Sequence, residues 1–211
     1  MKSLFLIALL LPMILCAQKK PVKAGDFLCV QGSDTLTVHP EDYTGGAIGV
    51  VFYVDETGQH GYAIHPQVQA SWVYWADDFE PVPGLTGWLS IRESLYDLNG
   101  YENTLALRQA SAYNHDLYPG AWAVDVEHGW YWPSSGQLNL LYVTLPAVNT
   151  SLSMIGGVTF EGRWVYWSSS HFGFSYDCAI YMAQHGGVGA ISKGRIELNG
   201  ISTSVRSIRN F

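Results

Sequence analysis

Residues 47–54 (AIGVVFYV) form an apolar run rich in β-branched and aromatic side chains. Asp55-Glu56-Thr57-Gly58 then supplies turn chemistry, and residues 61–65 (GYAIH) return to apolar character. Two short apolar runs joined by turn residues predict a β-hairpin. Later in the chain the period changes. Leu138, Leu141, Tyr142 and Leu145 fall at i, i+3, i+4 and i+7, one stripe along a helix. Ser134 and Gln137 ahead of them have capping-box spacing, in which the hydroxyl accepts an orphan amide and the glutamine reaches back. Pro146 lacks an N–H and is expected to end the regular part of that helix.

Residues 99–112 predict another helix through Leu105, Ala106, Leu107, Arg108 and Gln109, all good formers. A short helix over 118–126 follows, with Pro119 suited to its first turn. Residues 77–86 (DDFEPVPGLT) read as a loop because of Pro81, Pro83 and Gly84. After Gly156-Gly157 the pattern becomes short strands between glycine turns: 163–168, 178–183 and 204–211. An unbroken last strand would put Val205, Ser207, Arg209 and Phe211 on one face and Arg206, Ile208 and Asn210 on the other. Strands early, helices in the middle and strands late predict an α+β fold whose final strand pairs with an early one. Trp72-Val73-Tyr74-Trp75 recurs as Trp164-Val165-Tyr166-Trp167, but the flanks differ and the echo reads as chance.

The first residues read as an address. Lys2 precedes an apolar run over 4–15 broken by Pro12, shorter than the roughly 20 residues a membrane span needs and of signal-peptide size. Two processing routes stay open: cleavage after Ala17, or lipidation of Cys16, before which Leu15 is an unusual residue. Both imply export, to the cell surface, the outer membrane or the medium. This divides the chain into a signal peptide (1–17), a flexible leader (18–24), a β-rich part (25–98) and the core of the same domain (99–211). No later segment is apolar enough to span a bilayer.

Charged residues make up 14% of the chain, well below the roughly 25% of globular proteins, while 48% are hydrophobic, which excludes disorder. The net charge is −7 and no basic cluster stands out, which argues against nucleic acid or anionic lipid as partner. Beyond Ala17 only Cys29 and Cys178 remain. Export would permit a disulfide between them, and two small buried thiols are the other reading. Two isolated cysteines make no zinc framework.

Catalytic signatures are missing: there is no G-x-S-x-G elbow, H-E-x-x-H, Walker loop, G-x-G-x-x-G or EF-hand loop. His60 and His65 would leave an unbroken strand on opposite faces. Asp77, Asp78 and Glu80 read as a solvated acidic turn, and nothing orders a Ser, His and Asp into a triad. No catalytic residue, metal or cofactor is expected.

Three ordered segments carry a resemblance: Gly129-Trp130-Tyr131-Trp132-Pro133-Ser134-Ser135-Gly136-Gln137-Leu138, then Tyr166-Trp167-Ser168-Ser169-Ser170, then Val205-Arg206-Ser207-Ile208-Arg209. This looks like the exported bacterial family sharing the C-terminal domain of the Legionella collagen-like adhesin, related to the Fibrobacter major paralogous domain. The match covers about 99–211, and residues 47–54 and 99–104 further resemble Bacteroides members. Trp132 departs from the usual Leu, and Ser170-His171 stands where Thr-Glu is common. The resemblance implies a C-type-lectin-like fold with two main helices, a small twisted, mostly antiparallel sheet and long loops. The sugar-binding calcium motifs of true C-type lectins are missing. The related formylglycine-generating enzymes need a late cysteine pair, whereas Cys178 stands alone.

What the resemblance implies in function is a non-catalytic recognition module, adhesin-like or fimbrial tip-like, with an unidentified protein or glycan ligand. A structural envelope or assembly component, and an uncharacterised enzyme of the formylglycine-generating type, are the alternatives. Such domains are also targets of diversity-generating retroelements, which would vary outward residues near the C-terminus. The expected contact surface is His171, Phe172, Phe174, Tyr176, Asp177 and Tyr181, with Gly189, Ala190, Ile191 and Ser192. Aromatics with Gly and Ser are the vocabulary of recognition loops. Trp130, Trp132, Trp164 and Trp167 are read as core. Arg206 and Arg209 are read as buried ion pairs or donors to loop carbonyls rather than anion binders.

Overall fold

A computed structural model describes residues 20–32, 34–77, 80–162, 164–173, 178–183, 186–192, 194 and 203–211. The first half contains strands β1 (Phe27–Gln31), β2 (Asp34–Val38), β3 (Ala47–Val54), β4 (Gly61–Ile64), β5 (Ala70–Ser71) and β6 (Gly87–Trp88). Helices α1 (Ile91–Ser94), α2 (Gly100–Ala110) and α3 (Pro119–Ala123), strand β7 (Trp130–Tyr131) and helix α4 (Ser135–Met154) follow. Strands β8 (Val165–Phe172), β9 (Cys178–Ala183), β10 (Val188–Ser192), β11 (Thr203–Val205) and β12 (Ile208–Asn210) complete the described chain. The fold is α+β.

The strands build two sheets, not the single small sheet expected. The first has the order β2-β1-β3-β4-β12-β7 and is antiparallel throughout. The second has the order β10-β9-β8-β11-β5, with β6 also alongside β8; β6 and β11 run parallel to β8 and the other pairs are antiparallel. Both sheets take strands from before and after residue 99.

The predicted hairpin is β3–β4, where Val50 lies opposite Ile64. Its inward residues Val50, Phe52 and Ile64 meet Leu138, Leu141, Leu145, Val148 and Leu152 of α4 in one core. Gln137 forms its half of the capping box, accepting from the Ser134 N–H at 3.0 Å. Pro146 does not end the helix. It sits on the exposed side while Leu145, Val148 and Leu152 continue the buried stripe, so packing carries α4 on to Met154 past the missing donor. A second core lies across the second sheet, where Trp75, Trp132, Trp167 and Val205 pack with Leu107 of α2 and Ala121 of α3.

The final strand is not continuous. Val205 pairs with Ala70 in the second sheet and Ile208 with Ile64 in the first, so the chain changes sheets at Arg206-Ser207. Simple alternation fails there, and Val205, Arg206, Ser207 and Ile208 are all buried. The expected pairing of the last strand with an early one holds through β12 and β4.

The leader and Cys29 both have defined surroundings. In the described part of the leader the exposed Lys20 ammonium lies 2.9 Å from Glu41 and 3.3 Å from Asp42, and the Lys23 N–H donates to Asp26 at 2.9 Å. Cys29 is a free thiol at 5% exposure in the first core, so the disulfide to Cys178 is not formed. Burial pushes the Cys29 thiol up from its ordinary value. The Cys178 side chain and Cys16 lie outside the described residues.

Candidate recognition surface

The expected contact residues divide sharply. His171 is only 2% exposed, its ring 6.3 Å from that of Trp75, so it belongs to the interior and not to a contact surface. Its place in β8 next to the second core turns it inward. Phe172 is half-buried and pairs with Trp88 of β6. Phe174, Tyr176 and Asp177 lie outside the described residues.

The remaining residues come together on β9 and β10. Tyr181 is half-buried, edge-on to Trp167 with ring centroids 6.3 Å apart, and lies opposite Gly189. A Cβ at position 189 would stand 2.6 Å from the Tyr181 hydroxyl, so glycine there makes room for the ring. Ala190 faces Ile180, and Ser192 faces Cys178. Ile191 is half-buried against the second core. Among the described residues β10 is an outer strand of its sheet.

Tryptophan 72 directly follows β5, at the other edge of the same sheet. It is 68% exposed and has φ of 60°, the left-handed backbone region that a bulky residue rarely adopts. Hydrogen bonds on both sides hold it there. Ser71 pairs with Ser204 in the β5–β11 ladder, the Val73 N–H donates to Thr203 O at 3.2 Å, and the Trp167 indole donates to Val73 O at 2.9 Å. The neighbouring Trp75, by contrast, is fully buried and donates from its indole to Ser168 O at 2.7 Å. Through Val73 and Trp167 the Trp72 segment connects to Tyr181. Sequence reasoning missed Trp72; the signal was its own four-residue run, whose two ends go opposite ways.

A buried polar hub surrounds Asp97. Asp97 Oδ2 accepts from the Ser170 hydroxyl at 2.5 Å, Asn103 at 3.0 Å and the Trp88 indole at 3.3 Å, while Oδ1 accepts from the Asn99 N–H at 2.9 Å. Ser170 in turn accepts from the Ser135 N–H at 3.0 Å. The β8–β9 register shifts between Trp167 and His171, and the Ser168-Ser169-Ser170 side chains supply hydrogen bonds across this irregular stretch. Asp97, Ser135 and Ser170 are each within 2% of complete burial. Their arrangement clamps α1, α2, α4 and β8 together and gives a substrate no access.

Arg206 meets its expectation as a donor to loop carbonyls. Its Nε donates to His65 O at 2.8 Å and its Nη2 to Pro66 O at 2.9 Å, with the guanidinium 4.4 Å from the Phe160 ring centre. Burial lowers its pKa to about 10 and raises that of the neighbouring Tyr166. Trp130, Trp132, Trp164 and Trp167 are all buried, as expected. Among the described residues no group of three or more His, Cys, Asp or Glu could hold a metal ion, and no helix is long and apolar enough to cross a membrane.

Compared with known proteins, the chain matches no protein-family model and no curated sequence.

Proposed function

We propose that this chain is an exported, non-catalytic recognition module of the C-type-lectin-like type, adhesin-like or fimbrial tip-like. Its contact residues are Trp72 beside β5 and, toward the other edge of the same sheet, Tyr181 with the β10 residues Gly189, Ala190, Ile191 and Ser192. The observation that carries the reading is Trp72: a large ring held outward on a strained backbone that ladder and side-chain hydrogen bonds fix from both sides. Rigid, outward aromatic rings supply much of the energy in recognition surfaces because little side-chain entropy is lost on contact. Ligands with flat apolar faces, glycans or exposed protein loops, suit such a ring. Retroelement diversification belongs to the same proposal at outward positions only, since varying the buried His171 would disturb the core. A template repeat and a reverse-transcriptase gene beside the coding sequence are its test.

The binding test is a screen of the purified chain against glycans and bacterial and host surface proteins, repeated with Trp72→Ala and Tyr181→Ala. Wild-type binding lost by about tenfold or more in either variant supports the reading, since a central aromatic contributes at least ~1.4 kcal/mol. Identical binding by wild type and both variants, or none at all, overturns it.

A further inference from the structure

We infer that a second ligand site lies at the β7 edge of the first sheet and takes the carboxylate of an acidic sugar residue, with Arg209 as its anchor. Arg209 is half-exposed on β12 and lines two grooves, of about 410 and 270 Å³. Its neighbour Ile208 packs into the first core, and strand alternation places Arg209 on the opposite, outer face. Among the described residues Arg209 forms no ion pair. Lys23, Arg92, Arg108 and Arg206 share that, and Arg209 adds to it a place in both grooves. Asp125, a carboxylate lining the larger groove, is paired with His128: it lies 2.7 Å from His128 Nδ1 and accepts from the His128 N–H at 3.4 Å.

The surroundings fit a small ring bearing an anion. Gly129, with φ of 81°, lies under the Arg209 side chain; a Cβ there would stand 3.5 Å from its Nε. The larger groove has apolar walls from Ile48, Pro66 and Trp130. Its polar rim contains Asp125, His128 and His65, which donate and accept hydrogen bonds. The His65 ring is fixed edge-on to Trp130 at 4.8 Å, and its Nδ1 accepts from the Gln67 N–H at 3.0 Å. The planar guanidinium fork matches a carboxylate, while an apolar wall with a polar rim matches a sugar ring, whose faces are apolar and whose edges carry hydroxyls.

The test is an NMR titration of the purified chain with glucuronic acid, N-acetylneuraminic acid, neutral glucose and acetate. The expected result is millimolar binding of the acidic sugars, read at the Trp130 indole, with glucose and acetate each at least about tenfold weaker. Arg209→Gln should lose about tenfold toward the acidic sugars, and Arg209→Lys, which keeps the charge without the fork, should fall between. Thermal melts of both variants check that the fold is kept, and the lysine variant decides should the glutamine variant fail to fold. Trp72→Ala should leave this binding unchanged, which separates the site from the surface proposed above. Equal affinity for glucose or acetate, insensitivity to both Arg209 variants, or no shift at about 10 mM of either acidic sugar overturns the inference.

Discussion

The indole N–H of Trp132 donates to the backbone oxygen of Trp167 at 2.8 Å, entirely within the second core. This bond joins the segment leading into α4 to β8, two of the three stretches whose motifs carried the family resemblance. Trp132→Phe keeps most of the ring and removes the donor, leaving a buried carbonyl unpaired. The expected loss is about 1–3 kcal/mol, measured by urea unfolding. A loss within error would show that the bond contributes little to the joint.

Asp97 is the hub that holds α1, α2, α4 and β8. Asp97→Ala removes an acceptor from the buried Ser170 hydroxyl and Asn103 amide and from the half-buried Trp88 indole. Destabilisation of about 3 kcal/mol or more is expected, with hydrogen exchange accelerated first at the start of α4.

The two ends of the Trp72–Trp75 run should respond with opposite sign. Glycine relieves the left-handed strain at position 72, so Trp72→Gly should keep or raise stability by up to about 1 kcal/mol. Trp75→Ala opens a cavity in the second core and should cost about 3–5 kcal/mol. Calorimetry on both variants checks the contrast. A destabilised Trp72→Gly would mean that the ring serves packing and not contact.

Burial lowers the His65 pKa below its ordinary 6.5, with the Arg206 charge acting in the same direction. The unfolded chain therefore takes up its proton at higher pH than the folded one. Stability contributed by this group rises with pH up to about 6.5 and is flat above it. Denaturation midpoints between pH 5 and pH 8 should show that slope, and His65→Gln should reduce it.

Where one local rule governs, the chain reads directly. The β3–β4 hairpin follows from two apolar runs around a turn, and the start of α4 from Ser134 and Gln137. Legibility stops where distant packing overrides the local rule. Pro146 signals a stop, yet Leu145, Val148 and Leu152 bury the helix on both sides of it. Residues 204–211 look like one strand, but their partners belong to different sheets. The burial of individual side chains near the second core depends on distant partners in the same way. The inward turn of His171 and the outward turn of Trp72 depend on partners far away in sequence.

Strands β11 and β12 follow every other described strand in the chain, and each completes a different sheet. A ribosome making this chain delivers them after the rest, so the β4 edge and the outer side of β8 wait bare until then. Cooperative closure must come late, after a period in which the nascent polypeptide is sticky and easily threaded.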